Sequence, residues 1–150
     1  MAFLIALHIL AAVIWVGGMF FAYVVLRPSV GLLEPEARLA LWQRVFRRFF
    51  PWVWLSIVVL LASGYGMLFL YLGGFAGAGG SVHIMQAIGI VMMLLFAHLY
   101  FVPWRRFSGA VEGKHFPEAV KQLNQIRRIV ATNLVLGLVT IIVGASGRFW

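Results

Sequence analysis

Long apolar runs alternate with short polar segments along the chain. The apolar runs cover residues 2–26, 51–72, 82–104 and 129–145, and none has an acidic residue or a lysine in its interior. A helix needs about 20 mostly apolar residues to cross a bilayer. Because lipid offers the backbone no hydrogen-bond partners, each run predicts a spanning helix. The pattern predicts an all-α integral membrane four-helix bundle that forms a single domain over residues 1–150.

Composition agrees with a membrane protein. Hydrophobic residues make up 63% of the chain and charged residues only 11%, whereas charged residues make up about 25% of a soluble domain. A soluble core is limited by its volume and cannot hide so much apolar surface, so lipid must cover the rest. The chain has no cysteine, which excludes a disulfide framework and c-type haem attachment.

The charges predict the orientation of the helices. Eleven of the twelve basic residues fall in two segments, 27–48 and 105–128, whereas the segment 73–81 has no charge and Arg148 follows the last run. Basic loops stay in the cytoplasm. Both termini are therefore expected on the outer, periplasmic face of a bacterial-type inner membrane. Anionic lipid headgroups account for the basic residues, and no nucleic-acid partner is needed.

Aromatic residues also fall near the predicted membrane interfaces. The tryptophans at these positions are Trp42, Trp52, Trp54, Trp104 and Trp150. Such positions are typical of an aromatic belt and do not by themselves predict a site.

Polar groups in a bilayer are costly and are candidates for function. The candidates here are His8, His83, His98, Gln86 and Asn133. At 1.5 Å per residue, His8 lies about 9 Å below the outer end of its helix and His83 within about 5 Å of that end. His98 lies about 22 Å farther along the third helix and cannot share an ion with His83. Because His8 and His83 lie at comparable depths, we expect them to form a pair. The sequence predicts no role for His98 or Asn133.

Three interpretations of this histidine pair stay open. Each histidine is a packing residue bonded to a carbonyl or to water, or the pair are axial ligands of a b-type haem, or the pair bind copper with help from the thioether of Met85. Glycines in the spans, such as Gly18, either allow close helix contact or leave room for a flat ligand. No serine has a histidine or an acid at a spacing typical of nucleophilic catalysis.

Two segments carry a family resemblance. The first helix reads Leu7-His8-Ile-Leu-Ala-Ala-Val-Ile-Trp15-Val-Gly17-Gly18-Met-Phe, and the last begins Leu123-Asn-Gln-Ile-Arg127-Arg128-Ile-Val, followed by Asn133-Leu-Val-Leu-Gly137-Leu. Both resemble the corresponding helices of the CopD-type membrane proteins, the copper resistance D domain family. This resemblance implies copper uptake or tolerance.

The layout also resembles HemJ, the haem-containing membrane protoporphyrinogen oxidase. In that family a second histidine opens the third helix, as His83 does here, and the two histidines would hold haem. Met85 stands where HemJ has a lysine, and no acid follows Asn133 in the last helix.

Together these observations lead to one main hypothesis. We expect b-type haem between helices one and three, held by His8 and His83, in a protein that acts in membrane redox chemistry or electron transfer. The other residues expected to line this cofactor site are Trp15, Gly18, Tyr65 and, for the haem propionates, Arg148. If the chain is an enzyme, it is a haem-dependent membrane oxidoreductase, and the sequence leaves open both a redox partner and a homodimer.

Two alternatives accompany this hypothesis. One is a copper-binding or copper-transport protein that uses His8, His83 and Met85. The other is a cofactor-free membrane subunit.

Overall fold

In a computed structural model, the chain forms a bundle of long helices. The structure describes residues 1–147 and residue 149, so Arg148 and Trp150 lie outside the described residues. Within that part, four helices are long and apolar enough to cross a membrane: α1 (Ala2–Leu32), α2 (Pro35–Tyr71), α3 (Gly80–Glu112) and α4 (Phe116–Ser146). No strand occurs in the same residues. The all-α membrane bundle is confirmed, whereas the side of the membrane on which the termini lie stays a prediction.

The helices extend beyond the apolar runs. α2 begins at Pro35 and α4 at Phe116. The charged segment that precedes each apolar run therefore forms the first part of the same helix. Pro35 and Pro117 occupy the first turn of these helices, where the missing N–H would have no intrahelical partner in any case. Both charged segments therefore extend the helix that follows them.

Two helices widen into a π-helical turn near the same end of the bundle. In α1 this turn covers Phe21–Leu26 and ends two residues before Pro28, and in α3 it covers Tyr100–Trp104, which includes Pro103. A proline ring clashes with the carbonyl four residues earlier and donates no hydrogen bond. A wider turn with bonds between residues i and i+5 relieves that clash without ending the helix.

Consecutive helices run in opposite directions, so the loops and termini lie at two distinct ends of the bundle. We call the end that contains residues 1–8, 72–83 and 144–147 the glycine-loop end, and the end that contains residues 27–48 and 105–128 the basic end. Between α2 and α3, Gly73 and Gly74 have φ angles of 72° and 79°. This left-handed conformation strongly favours glycine and ends α2.

Helix α4 packs closely on α1 and α3 through its glycines. A Cβ atom on Gly137 would lie 2.8 Å from Val16 Cγ2 in α1 and 3.2 Å from Met92 Cε in α3. A Cβ atom on Gly144 would lie 2.8 Å from the sulfur of Met85. These glycines therefore serve close helix contact, as small residues commonly do in membranes.

Aromatic side chains fill the space between α2 and α3. Trp42, Phe46, Phe50 and Trp54 follow one another at four-residue spacing on α2, and the last three of them meet Phe96, Tyr100, Trp104 and Phe107 on α3. Trp42 is only 3% exposed, whereas Trp52 is 55% exposed. The interpretation of Trp42 as a belt residue is therefore wrong, because its ring belongs to the core.

Candidate functional site

The predicted site residue with the most defined surroundings is His8. Its half-buried imidazole faces α2 near the glycine-loop end, where Nδ1 lies 2.9 Å from Ser63 Oγ. A Cβ atom on the next residue, Gly64, would lie 3.3 Å from His8 Cε1. Glycine at this position gives the imidazole its place against the α2 backbone.

The hydrogen bonds of Ser63 determine which nitrogen of His8 carries the proton. Ser63 is 2% exposed, and its hydroxyl lies 2.6 Å from the Val59 carbonyl oxygen. A carbonyl only accepts, so the single hydroxyl proton is donated to Val59. Ser63 Oγ must then accept from the Nδ1–H of His8. In a neutral imidazole this assignment leaves the lone pair on Nε2, which is the form that binds a metal.

A second polar contact lies near the same end of the bundle. Gln86 Nε2 of α3 donates to the Tyr65 hydroxyl of α2 at 3.1 Å. The Tyr65 ring is stacked with Phe69, and their centroids are 6.2 Å apart. Ser63, Gly64 and Tyr65 thus join α2 to both α1 and α3 through three consecutive residues.

The other predicted ligands occupy different surroundings. His83, in the first turn of α3, is exposed, whereas Met85 is half-buried against Gly144 of α4. No hydrogen bond joins His83 to His8 among residues 1–147 and 149. The same residues contain no group of three or more histidines and carboxylates placed to hold a metal ion. The pairing of His8 with His83 stays a prediction.

The residues expected to line a haem pocket take part in helix packing. Trp15 is 2% exposed, and its ring meets Phe96 edge-on with centroids 6.2 Å apart. A Cβ atom on Gly18 would meet the ring of Phe49. Because these positions already accommodate neighbouring helices, the structure gives haem binding no support. Arg148, the expected propionate partner, lies outside the described residues.

Asn133 lies deep in the bundle, where it is 2% exposed. Its amide nitrogen donates to the Met92 carbonyl oxygen at 3.1 Å, which ties α4 to α3 beside the Gly137 contact. This bond gives Asn133 a structural part in the helix pair. His98, in contrast, is exposed near the basic end.

Comparison with known proteins now adds the family. The family described as Copper resistance protein D matches residues 43–146, from the basic extension of α2 to the end of α4. The chain belongs to this CopD family. A protein of Aquifex aeolicus (strain VF5), described only as an uncharacterized protein, is 28% identical over 143 residues, which cover 95% of this chain and 91% of the relative. No solved structure matches.

Membership of the CopD family confirms the family resemblance, and the matched residues include the last helix but not the first. It makes this chain a multi-pass membrane protein of a copper resistance family and directs attention from haem to copper. The resemblance to HemJ stays a prediction from the layout. Sequence reasoning missed Ser63, which lies 55 residues from His8 in the chain. The available signal was that both residues fall in the half of their helices near the glycine-loop end.

Proposed function

We propose that this CopD family protein binds a copper ion as its cargo near the glycine-loop end and takes part in copper handling at a bacterial-type inner membrane. His8 is the anchoring ligand in this proposal. The observation that carries it is the chain of hydrogen bonds from His8 through Ser63 to Val59, which leaves Nε2 free for a metal. Metal-binding histidines commonly donate their other ring N–H to an oxygen in this way.

The remaining ligands come from the start of α3 in this proposal. Imidazole and thioether groups both suit copper, and the chain has no thiolate to offer. His83 is exposed and therefore free to change its rotamer, whereas Met85 is held against α4. We therefore assign His83 as the second ligand and Met85 as a weaker third ligand. The cargo would enter at the glycine-loop end, where His83 is accessible.

Copper binding by the purified full chain in detergent tests this proposal. A chromophoric chelator of Cu(I) serves as the competitor. We expect His8→Ala to weaken copper binding at least about hundredfold, because the loss of an anchoring ligand should exceed the 10–100-fold cost of losing an outer-shell partner. His83→Ala should weaken binding less. The matched control is His115→Ala near the basic end, which should bind copper like the unaltered chain.

Two results would contradict the proposal. Unchanged copper affinity in His8→Ala would remove His8 as a ligand. A visible spectrum of the copper-free preparation decides the haem alternative, because a Soret band that disappears in both His8→Ala and His83→Ala would assign the two imidazoles to haem iron and support membrane electron transfer.

A further inference from the structure

A positively charged cleft lies near the basic end, between the end of α1 and the start of the apolar part of α4. It has a volume of about 410 Å³ and is lined by Tyr23, Arg27, Asn124, Arg127, Arg128, Ala131 and Thr132. We call it the cationic cleft. Three guanidinium groups line it and no carboxylate does, so its walls are suited to an anion.

The cationic cleft continues into a narrow recess between α1, α2 and α4. Tyr23, Arg27 and Arg127 line both spaces, and Trp42, Phe46, Ala22 and Val130 complete the recess. Arg127 Cζ lies 5.8 Å from the centroid of the Trp42 ring, and Arg27 Cζ lies 4.8 Å from that of Tyr23. Both distances are typical of cation–π contacts, which hold the two guanidinium groups in place.

The arginines of the cleft lack an internal counter-charge. Within the described part of the chain the sole salt bridge joins Arg47 to Glu112. Arg127 Nη1 has only a long contact of 3.4 Å to Asn124 Oδ1, and Arg27 and Arg38 both repel its charge.

Two buried donors beside the cleft also lack a partner. Arg127 Nε and Trp42 Nε1 have no hydrogen-bond acceptor among the described residues. Buried donors are rarely left without an acceptor in proteins. An anion seated against Arg127 would supply both the missing charge and an acceptor.

We propose that the cationic cleft binds a phosphate-bearing anion, with Arg127 as its central contact and with Arg27 and Arg128 at its rim. The planar guanidinium group matches phosphate oxygens through paired N–H donors. Asn124 and Thr132 offer further polar contacts. Both a lipid headgroup and a soluble phosphate have this chemistry. The cleft lies at the opposite end from His8, so the proposal stands apart from copper binding.

The shift in thermal unfolding of the detergent-purified full chain tests this site, because a ligand that binds the folded state raises the unfolding temperature. The probes are dioctanoyl phosphatidylglycerol, dioctanoyl phosphatidylcholine and inorganic phosphate at constant ionic strength. We expect phosphatidylglycerol to stabilise the protein at lower concentration than phosphatidylcholine. Stabilisation by inorganic phosphate as well would identify a site for soluble phosphate, whereas its absence would identify a lipid site. No stabilisation by either anionic probe would overturn the proposal.

Matched variants separate the cleft from general surface charge. Arg127→Gln should weaken binding of the anionic probe about tenfold, the order expected for one charge-assisted hydrogen bond. Arg48→Gln removes the same charge from an exposed side chain near the same end and should leave binding unchanged. Equal weakening in both variants would contradict the proposal. If Arg127→Gln does not fold, the exposed rim variant Arg128→Gln gives the same comparison with Arg48→Gln.

Discussion

The glycine-loop end and the basic end of the bundle accommodate polar groups in opposite ways. At the glycine-loop end the polar side chains are neutral and bonded across helices, as in the His8–Ser63 and Gln86–Tyr65 pairs. At the basic end three arginines lie over aromatic rings, and one further arginine forms an ion pair within the described part of the chain.

This difference follows from the cost of charge in a bilayer. Placing a charged side chain in the middle of the bilayer costs much more free energy than placing it near the headgroups. Within the spans, neutral side chains are therefore the favoured ligands, and a neutral imidazole suits a soft metal ion. Close to the headgroups, guanidinium groups keep their charge and suit anions. The length of the four-helix bundle thus separates two kinds of binding chemistry, one at each end. Four substitutions compare the two ends.

The largest expected effect is on the aromatic contacts near the basic end. Phe46 is 3% exposed and meets Trp42, Phe50 and Trp104. Phe46→Ala should destabilise the protein by about 3 kcal/mol, at the low end of the range for buried phenylalanines, because lipid rather than water solvates the separated helices. Thermal unfolding measures this loss, with the exposed Trp52→Ala as the control. Copper affinity at the opposite end should persist; if it falls as far as stability does, the two ends are not independent.

The next effect concerns the glycine-loop end alone. Ser63→Ala removes the acceptor that fixes the tautomer of His8, and copper affinity should fall about 10–100-fold. Anion binding in the cationic cleft should not change. Comparison with the copper-free unfolding temperature distinguishes positioning from folding, because a purely structural role would lower that temperature and leave the affinity of the folded fraction intact.

A smaller effect is expected at the contact between α1, α3 and α4. Gly137→Ala places a Cβ atom 2.8 Å from Val16 Cγ2, so the helices must move apart, at a cost of about 1–3 kcal/mol. Gly17→Ala is the matched control, because nothing lies within 4 Å of a Cβ atom there. The control should stabilise α1 by up to about 1 kcal/mol through helix propensity. Thermal unfolding measures the two changes in stability, which should have opposite signs. Stability changes of the same sign in Gly137→Ala and Gly17→Ala would refute the close-contact interpretation.

The smallest effect is expected at the Arg47–Glu112 ion pair. The nitrogen and oxygen lie 3.2 Å apart, and both side chains are 63% exposed. Water screens such a pair, so Arg47→Gln should change stability by less than about 1 kcal/mol. A larger loss in thermal unfolding at moderate salt would show that ion pairs, rather than aromatic contacts, hold the basic end together.

The apolar runs were sufficient to predict the number of helices. Lipid requires unbroken helical hydrogen bonding, so an apolar run of about 20 residues has few structural alternatives. The same runs placed the start of α2 near residue 51 rather than at Pro35. Hydropathy reports where lipid surrounds a helix, whereas a helix continues wherever its residues allow, and residues 35–50 are charged but suited to a helix.

The candidate site could be predicted only in part. His8 was identifiable because an imidazole in a span is costly. Its bond to Ser63 was not, because the rotation of α1 against α2 depends on small contacts such as Leu4 with Gly66. The cationic cleft was missed for a similar reason: Arg27 and Arg127 are far apart in the sequence, and both were attributed only to topology and to a general attraction for anionic lipid headgroups.

The π-helical turn of α3 has a practical consequence for labelling experiments. Residues of an α-helix rotate by about 100° each around its axis, but the extra residue in the turn at Tyr100–Trp104 shifts this phase. Since the chain has no native cysteine, every thiol introduced along α3 is unique. In a cysteine scan, the accessibility of the introduced thiols should therefore vary with the α-helical period both before and after residues 100–104, but with the exposed positions shifted between the two parts. Cross-links to residues beyond this turn must be designed with the shifted positions.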